Sequence, residues 1–255
     1  MKLQENLKNI LELRNIDLNT YEQVHNLGAQ NVQKAVCFVD SNVQKLDLSN
    51  LKYSELILIV LEGVSFELLL RFDQLENLNL KAFVADSAKV KLNVLVEQSR
   101  LESFMNLEMI AYESNSTIDM NVVYDLSKDA KFDLGAKLSF ENSENTGSMK
   151  INGILDDKAF GKSFAEIYIA PTANRTDSEM RQEVLLLSDD CRNEITPALE
   201  ILTDDVKAAH GVSVSRVPED ILFYFESRGV SEVCAKKLYA QALKDKLFLV
   251  ENTLE

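Results

Sequence analysis

Between Ile118 and Phe140 the chain alternates. Ile118, Met120, Val122, Tyr124 and Leu126 are set among largely polar neighbours, and Phe132, Leu134, Ala136, Leu138 and Phe140 repeat the pattern. Val90, Leu92 and Val94 do the same earlier. Successive side chains of a strand point to opposite faces, so a period of two predicts strands with one buried face. The connectors are short and polar: ADSAK, ESNST, LSKDAK and ENSENTG.

A weak repeat accompanies the alternation. Val90, Phe104, Ile118 and Phe132 are spaced by 14, and Leu92, Asn106, Met120 and Leu134 follow two residues on. That spacing fits one strand plus one turn, so two units would make one coil of a flattened β-solenoid, each rung burying its apolar face against the next. An antiparallel sandwich also gives short strands with regular turns. Asn152-Gly153 is the only hairpin-type dipeptide, which favours the solenoid.

The flanks read as helical. Leu3, Leu7, Ile10, Leu11 and Leu13 give a rough helical period near the start, and Asp17 or Asn19 could cap a short helix carrying Tyr21, Val24 and His25. Near the end, Pro218 suits a first helical turn, with Glu219 and Asp220 complementing the helix dipole and Ile221, Leu222 and Phe225 forming an apolar face. Gly229 fits a left-handed cap, and Ser231 caps a second helix with Val233, Leu238, Ala242 and Leu243 as its stripe. These helices read either as a docking element or as a cover for the open end of a solenoid. The resulting division is 1–35 N-terminal helical segment, 36–215 β-helix core and 216–255 C-terminal helical segment.

Composition narrows the function classes. At 46% hydrophobic and 27% charged, the 255-residue chain is an ordinary globular one with enough length for a sizeable core. Its net charge of −14 argues against nucleic acid and against an anionic membrane surface as partners. No apolar run approaches a bilayer span, and MKLQENLKNI lacks a signal-peptide core, so a cytoplasmic location is expected. Three cysteines without CxxC spacing argue against a disulfide framework or zinc finger. Cys191, following an acidic pair, reads as structural, and Cys37 and Cys234 read as packing residues. No GxxxxGK[ST] loop occurs, so any ATP hydrolysis belongs to a partner.

From Thr176 to Gly229 a series of short pieces occurs in a distinctive order: Leu185-Leu186-Leu187-Ser188, Pro197 with Leu199-Glu200-Ile201, Asp204-Asp205-Val206, His210-Gly211, Phe223-Tyr224 and Ser227-Arg228-Gly229. Jointly they resemble the C-terminal half of the SufB/SufD family of the SUF iron–sulfur cluster assembly machinery. The resemblance implies a mainly β protein, a right-handed parallel β-helix (solenoid) with helical N- and C-terminal segments. It implies a non-enzymatic subunit, closer to the SufD-type partner than to the scaffold, that pairs with a SufB-type scaffold or with itself as a homodimer. Residues 219–246, with Phe223, Tyr224, Ser227, Arg228 and Gly229, would dock a SufC-type ATPase. The chain departs from the family pattern at Ala208, where partner subunits commonly carry a cysteine, at Val184 in place of the usual Asn, and in its short length.

His210 is one of only two histidines. On a strand it shares a face with Val206, Ala208, Val212 and Val214. Its position reads either as a hydrogen-bonded core or interface residue or, as the resemblance implies, as an iron or cluster ligand at the subunit interface, where a transient iron–sulfur cluster would be held. His25 has no ligand spacing around it. Asp189-Asp190 and Asp204-Asp205 would point to opposite faces of a strand and so make poor catalytic pairs. Two rival readings are a minimal homodimeric cluster scaffold and a β-solenoid carbohydrate-active enzyme. The absence of tryptophan counts against the latter.

Overall fold

A computed structural model describes residues 7–8, 11–12, 14, 16–23, 33–49, 53–73, 75, 77–98 and 102–249. The strands are β1 (Glu22–Gln23), β2 (Lys34–Val39), β3 (Val43–Ser49), β4 (Glu55–Val60), β5 (Ser65–Phe72), β6 (Asn77–Val84), β7 (Lys89–Gln98), β8 (Glu102–Ala111), β9 (Thr117–Leu126), β10 (Lys131–Phe140), β11 (Thr146–Leu155), β12 (Phe160–Ile169), β13 (Thr176–Leu186), β14 (Arg192–Ile201) and β15 (Val206–Arg216). Two helices follow, α1 (Glu219–Ser227) and α2 (Glu232–Leu249).

Strands are dealt alternately to two sheets. The order is β1-β2-β4-β6-β8-β10-β12-β14 in one and β15-β13-β11-β9-β7-β5-β3 in the other. Every pairing among the described residues is parallel, as between β10 and β12 or β13 and β15. The architecture is therefore a flattened parallel β-solenoid, and the antiparallel sandwich is excluded. Parallel neighbours cannot be joined by a tight hairpin, which accounts for the scarcity of hairpin dipeptides.

The bore is filled by the alternating residues. Ile118, Met120, Val122, Tyr124 and Leu126 of β9, and Leu134, Leu138 and Phe140 of β10, are completely buried. Stacked coils place like residues over one another: Leu46, Leu68, Leu92, Met120, Met149 and Met180 form one continuous column of register partners. The coils lengthen along the chain. Ala35 pairs with Leu56, 21 residues on, whereas Phe132 pairs with Gly161, 29 residues on.

This growth limits the spacing of 14. Val90 with Ile118, and Leu92 with Met120, are register partners as the repeat requires. Phe104 and Asn106 are not in the bore: β8 is out of phase, Ser103 partners Phe132, and Phe104 is 39% exposed on the outer face. The corner from Gln98 to Ser103 is one residue shorter than that from Leu126 to Phe132, and a one-residue change swaps the two faces of a strand.

The corners stack as the strands do. Ser87, Asn115, Glu144 and Arg175 all take positive φ, 54–63° as a set with the other corners, and the N–H of each donates to the next coil's corner carbonyl, from Ser87 to Ser114 through Arg175 to Asp205. Non-glycine residues in this region cost about 1–2 kcal/mol each, a cost offset by that ladder of hydrogen bonds. Ala88, Ala130, Ala159 and Ala173 sit completely buried at the corners.

Both outer faces carry covers. Leu7 and Leu11, in helical conformation, bury Val36, Ile57, Ile59, Phe83, Ile110 and Tyr112 on the outside of the first sheet. The short helix expected to carry Tyr21 is corrected: a 3-10 turn, Leu18–Thr20, leads into the two-residue β1, while Val24 and His25 lie outside the described residues. On the outside of the second sheet, Ile154, Leu185, Leu187, Val217 and Ala240 form a separate core with Ile221, Leu222, Tyr239 and Leu243 of the two helices. Lys244 of α2 reaches Glu97 at 2.7 Å and Asp125 at 2.9 Å.

Candidate functional site

The solenoid ends at β14 and β15, which lie last in their sheets. Among the described residues each has a neighbour on one side only. The helices do not cover this end, since they pack against the outer face at Ile154, Leu185 and Leu187; the reading of them as an end cover is corrected. Buried apolar residues draw them to that face, and Val217 anchors the turn into α1. The mouth of the bore is left exposed, with Ile201 37%, Leu202 48%, Val212 44% and Val214 52% accessible. Apolar bore residues therefore face water there beside two sheet edges that are unpaired among the described residues.

His210 stands in this mouth. It pairs in register with Met180, so it extends the column of Leu92, Met120, Met149 and Met180 by one place. Val206, Ala208, Val212 and Val214 pair with Thr176, Ser178, Gln182 and Val184, all in the bore, which puts the whole set on the face expected for it. Met180 is 1% exposed, while His210 is exposed because no further coil lies over it. Among the described residues no group of three or more His, Cys, Asp or Glu side chains is arranged to hold a metal ion. Among the described residues His210 therefore offers a single imidazole at the mouth.

The other candidates are buried, corner or surface residues. Cys191 is 3% exposed in the corner between β13 and β14, its Sγ directed at the Ser188 carbonyl at 3.2 Å and the Leu155 carbonyl at 3.4 Å. Cys37 is buried too, and burial, with Asp40 nearby, pushes its thiol up. Cys234 is exposed on α2, so its reading as a packing residue is corrected. Asp189 pairs with Arg216 at 2.7 Å, and Asp204 and Asp205 are exposed corner residues.

The residues expected to contact an ATPase come together on α1 and the turn after it. Phe223 is 73% exposed and Tyr224 56%. The Arg228 guanidinium lies over the Tyr224 ring, 5.4 Å from its centre. Ser227 Oγ donates to the Tyr224 carbonyl at 2.7 Å, and Gly229 takes φ +81° as the cap. The phase of α2 differs from the expected stripe. Ala235, Tyr239, Ala240 and Leu243 turn inward, while Val233 and Leu238 are exposed. Exposed aromatics beside an arginine are the residue types that anchor protein interfaces. No helix among the described residues is long and apolar enough to cross a membrane.

Residues 73–243 match the family model described as SUF system FeS cluster assembly, SufBD core domain. The chain belongs to the SufBD family. A SufBD family iron–sulfur cluster assembly protein of Pyrococcus horikoshii is 28% identical over 137 residues, 52% of this chain and 29% of the relative. The iron–sulfur cluster assembly protein SufD of Escherichia coli is 33% identical over 94 residues (37% of this chain, 22% of the relative), and SufD of Bacillus subtilis 34% over 87 (34% and 20%). The chain thus spans under a third of the length of the curated relatives it matches. The SufBD match extends well beyond the short pieces between Thr176 and Gly229 that carried the resemblance. No local motif in the earlier coils could have signalled it, because solenoid rungs constrain polarity more than identity.

Proposed function

We propose that this SufBD chain is a non-enzymatic partner subunit of an iron–sulfur cluster assembly complex. Family membership supports a role in cluster assembly. The observation that carries the finer reading is the open end, where both sheets stop together at β14 and β15 with apolar bore residues and His210 exposed. A second β-helix end, from a SufB-type scaffold or from another copy of this chain, would satisfy both edges at once. Iron or cluster arriving in that joint is cargo. His210 would offer it one imidazole, and the remaining donors would come from the opposing subunit. The exposed face of α1 would dock a SufC-type ATPase, whose cycle would move the paired β-helices and open the joint.

The test is the mass in solution of the chain alone and mixed with the ATPase and scaffold subunits of the same organism. The reading expects a stable complex, loss of the ATPase on deletion of 219–255, and lower iron and sulfide incorporation by the complex carrying His210→Ala. A chain that engages neither subunit sinks the reading. Normal incorporation with His210→Ala removes the ligand role alone. A dimer that forms without the scaffold, and binds iron and sulfide after anaerobic reconstitution, would favour the homodimeric scaffold instead.

A further inference from the structure

Directly beneath the mouth the bore changes character. Columns that are apolar in earlier coils become polar in one layer: Leu134 is followed by Ser163, and Ile151 by Gln182. Phe132 is followed by Gly161 and then Asn193. Ser163 and Gln182 are each 1% exposed. From two coils below, Tyr124 projects up into this layer. Its ring fills the space that a side chain at Gly153 would need, an added Cβ there falling 2.4 Å from the ring, while one at Gly161 would fall 2.2 Å from Asn193 Oδ1 and 3.2 Å from the ring. The Tyr124 hydroxyl donates to Asn193 Oδ1 at 3.0 Å and lies against Ser163. Burial pushes its phenol up, so it is a neutral donor.

The hydrogen bonds in this layer all run one way. Tyr124 donates to the Asn193 amide oxygen, and Ser163 Oγ donates to Gln182 Oε1 at 2.8 Å. Both amide oxygens are thereby occupied and both amide nitrogens are left over. Asn193 Nδ2 is buried with no partner among the described residues. Gln182 Nε2 faces only the Met180 thioether at 3.7 Å, a weak acceptor.

The same motif occurs lower in the bore and is complete there. Ser103 Oγ donates to Gln98 Oε1 at 3.0 Å, and Gln98 Nε2 donates onward to the Leu75 carbonyl at 2.7 Å. A buried serine–glutamine pair in this fold can therefore be closed by a backbone oxygen, and the upper one is not. Buried amide N–H groups without acceptors are costly and rare, and they are most often answered by water or ligand.

We infer that the layer formed by Tyr124, Ser163, Gln182 and Asn193 is a binding site for a small hydrogen-bond acceptor, water or a monovalent anion, reached through the mouth of the solenoid. The unsatisfied atoms are amide donors, so the occupant they call for is an acceptor. Ile195 and Val212 overlie Ser163 and Gln182 in the last coil, so the occupant must be small. Closure of the mouth by another subunit would seal the occupant in.

The experiment is a pair of crystal structures of the full chain, one from crystals soaked in sodium bromide and measured with anomalous scattering, and one without bromide. The expected result is density within hydrogen-bond distance of Gln182 Nε2 or Asn193 Nδ2. An anomalous peak there assigns an anion, and oxygen density alone assigns water. Asn193→Ala should lower the occupancy or lose the density while Ser163 still bonds to Gln182. A dry layer in both crystals, with the two amide nitrogens bonded to protein atoms, overturns the inference.

Discussion

Met180 and His210 are register partners on adjacent strands, yet Met180 is buried in the bore and His210 faces water. The difference is only that one coil lies over Met180 and none over His210. The two positions should therefore respond differently to truncation. Met180→Ala should cost about 2–5 kcal/mol, the usual range for emptying a packed site. His210→Ala should stay within roughly 0.5 kcal/mol in the isolated chain. Urea denaturation of both variants makes the comparison, and a large cost at His210 would mean that the mouth is closed in the free protein.

Tyr124 depends on two missing side chains. Gly153→Ala would place a methyl 2.4 Å from its ring, and overpacking of that kind costs about 1–3 kcal/mol. Pairing the change with Tyr124→Leu should recover part of the loss, because the smaller side chain vacates the space. A double-mutant cycle measures this coupling. Strict additivity would show that the ring does not lie over Gly153.

The exposed aromatics of α1 contribute little to the fold, since Ile221 and Leu222, not Phe223 and Tyr224, make its contacts with the sheet. Phe223→Ser with Tyr224→Ser should leave the thermal midpoint of the chain nearly unchanged. Affinity for the SufC-type ATPase should fall by roughly 30-fold, the effect of losing about 2 kcal/mol at an interface anchor. Titration calorimetry reads it directly. Unchanged affinity would remove α1 from the interface.

Alkaline pH should loosen both covers of the solenoid. Burial alone would lower the Lys244 ammonium, but its hydrogen bonds to Glu97 and Asp125 outweigh that and raise it. A raised folded value means that stabilisation is complete below the unfolded value, about 10.4 for lysine, and is lost as pH climbs through the folded one. Tyr21 behaves likewise on the other face: burial first, then the hydrogen bond to Glu55 at 2.7 Å, push it up to about 12. Its contribution is complete below about pH 10 and is lost towards pH 12. Amide exchange of α2, taken relative to the base-catalysed rate of an unprotected amide, should stay flat through neutrality and rise only above about pH 10. A rise near neutrality would point to groups other than these two.

Alternation at Ile118–Leu126 and Phe132–Phe140 was legible because a strand with one face in a bore needs apolar side chains at every second position, whatever its neighbours. The helix signals at Pro218, Gly229 and Ser231 were legible for the same local reason: caps and φ preferences belong to single residues. The face carrying Val206, Ala208, His210, Val212 and Val214 followed from period two alone. What the sequence by itself determined, then, was element type from the coils through the C-terminal helices, though not at residues 18–23, where a 3-10 turn and β1 stand in place of a helix, together with the bore-facing set of each regular strand and family membership through the pieces between Thr176 and Gly229. Tertiary structure decided the phase of β8, where one residue fewer in a corner turned Phe104 and Asn106 outward. It decided which side of α2 faces inward, since that depends on Ile154 and Leu185 lying on a distant sheet. It alone brought Tyr124 to Asn193, 69 residues apart in sequence. Such contacts depend on the number of residues per coil, a sum over strands and corners that no short window of sequence contains.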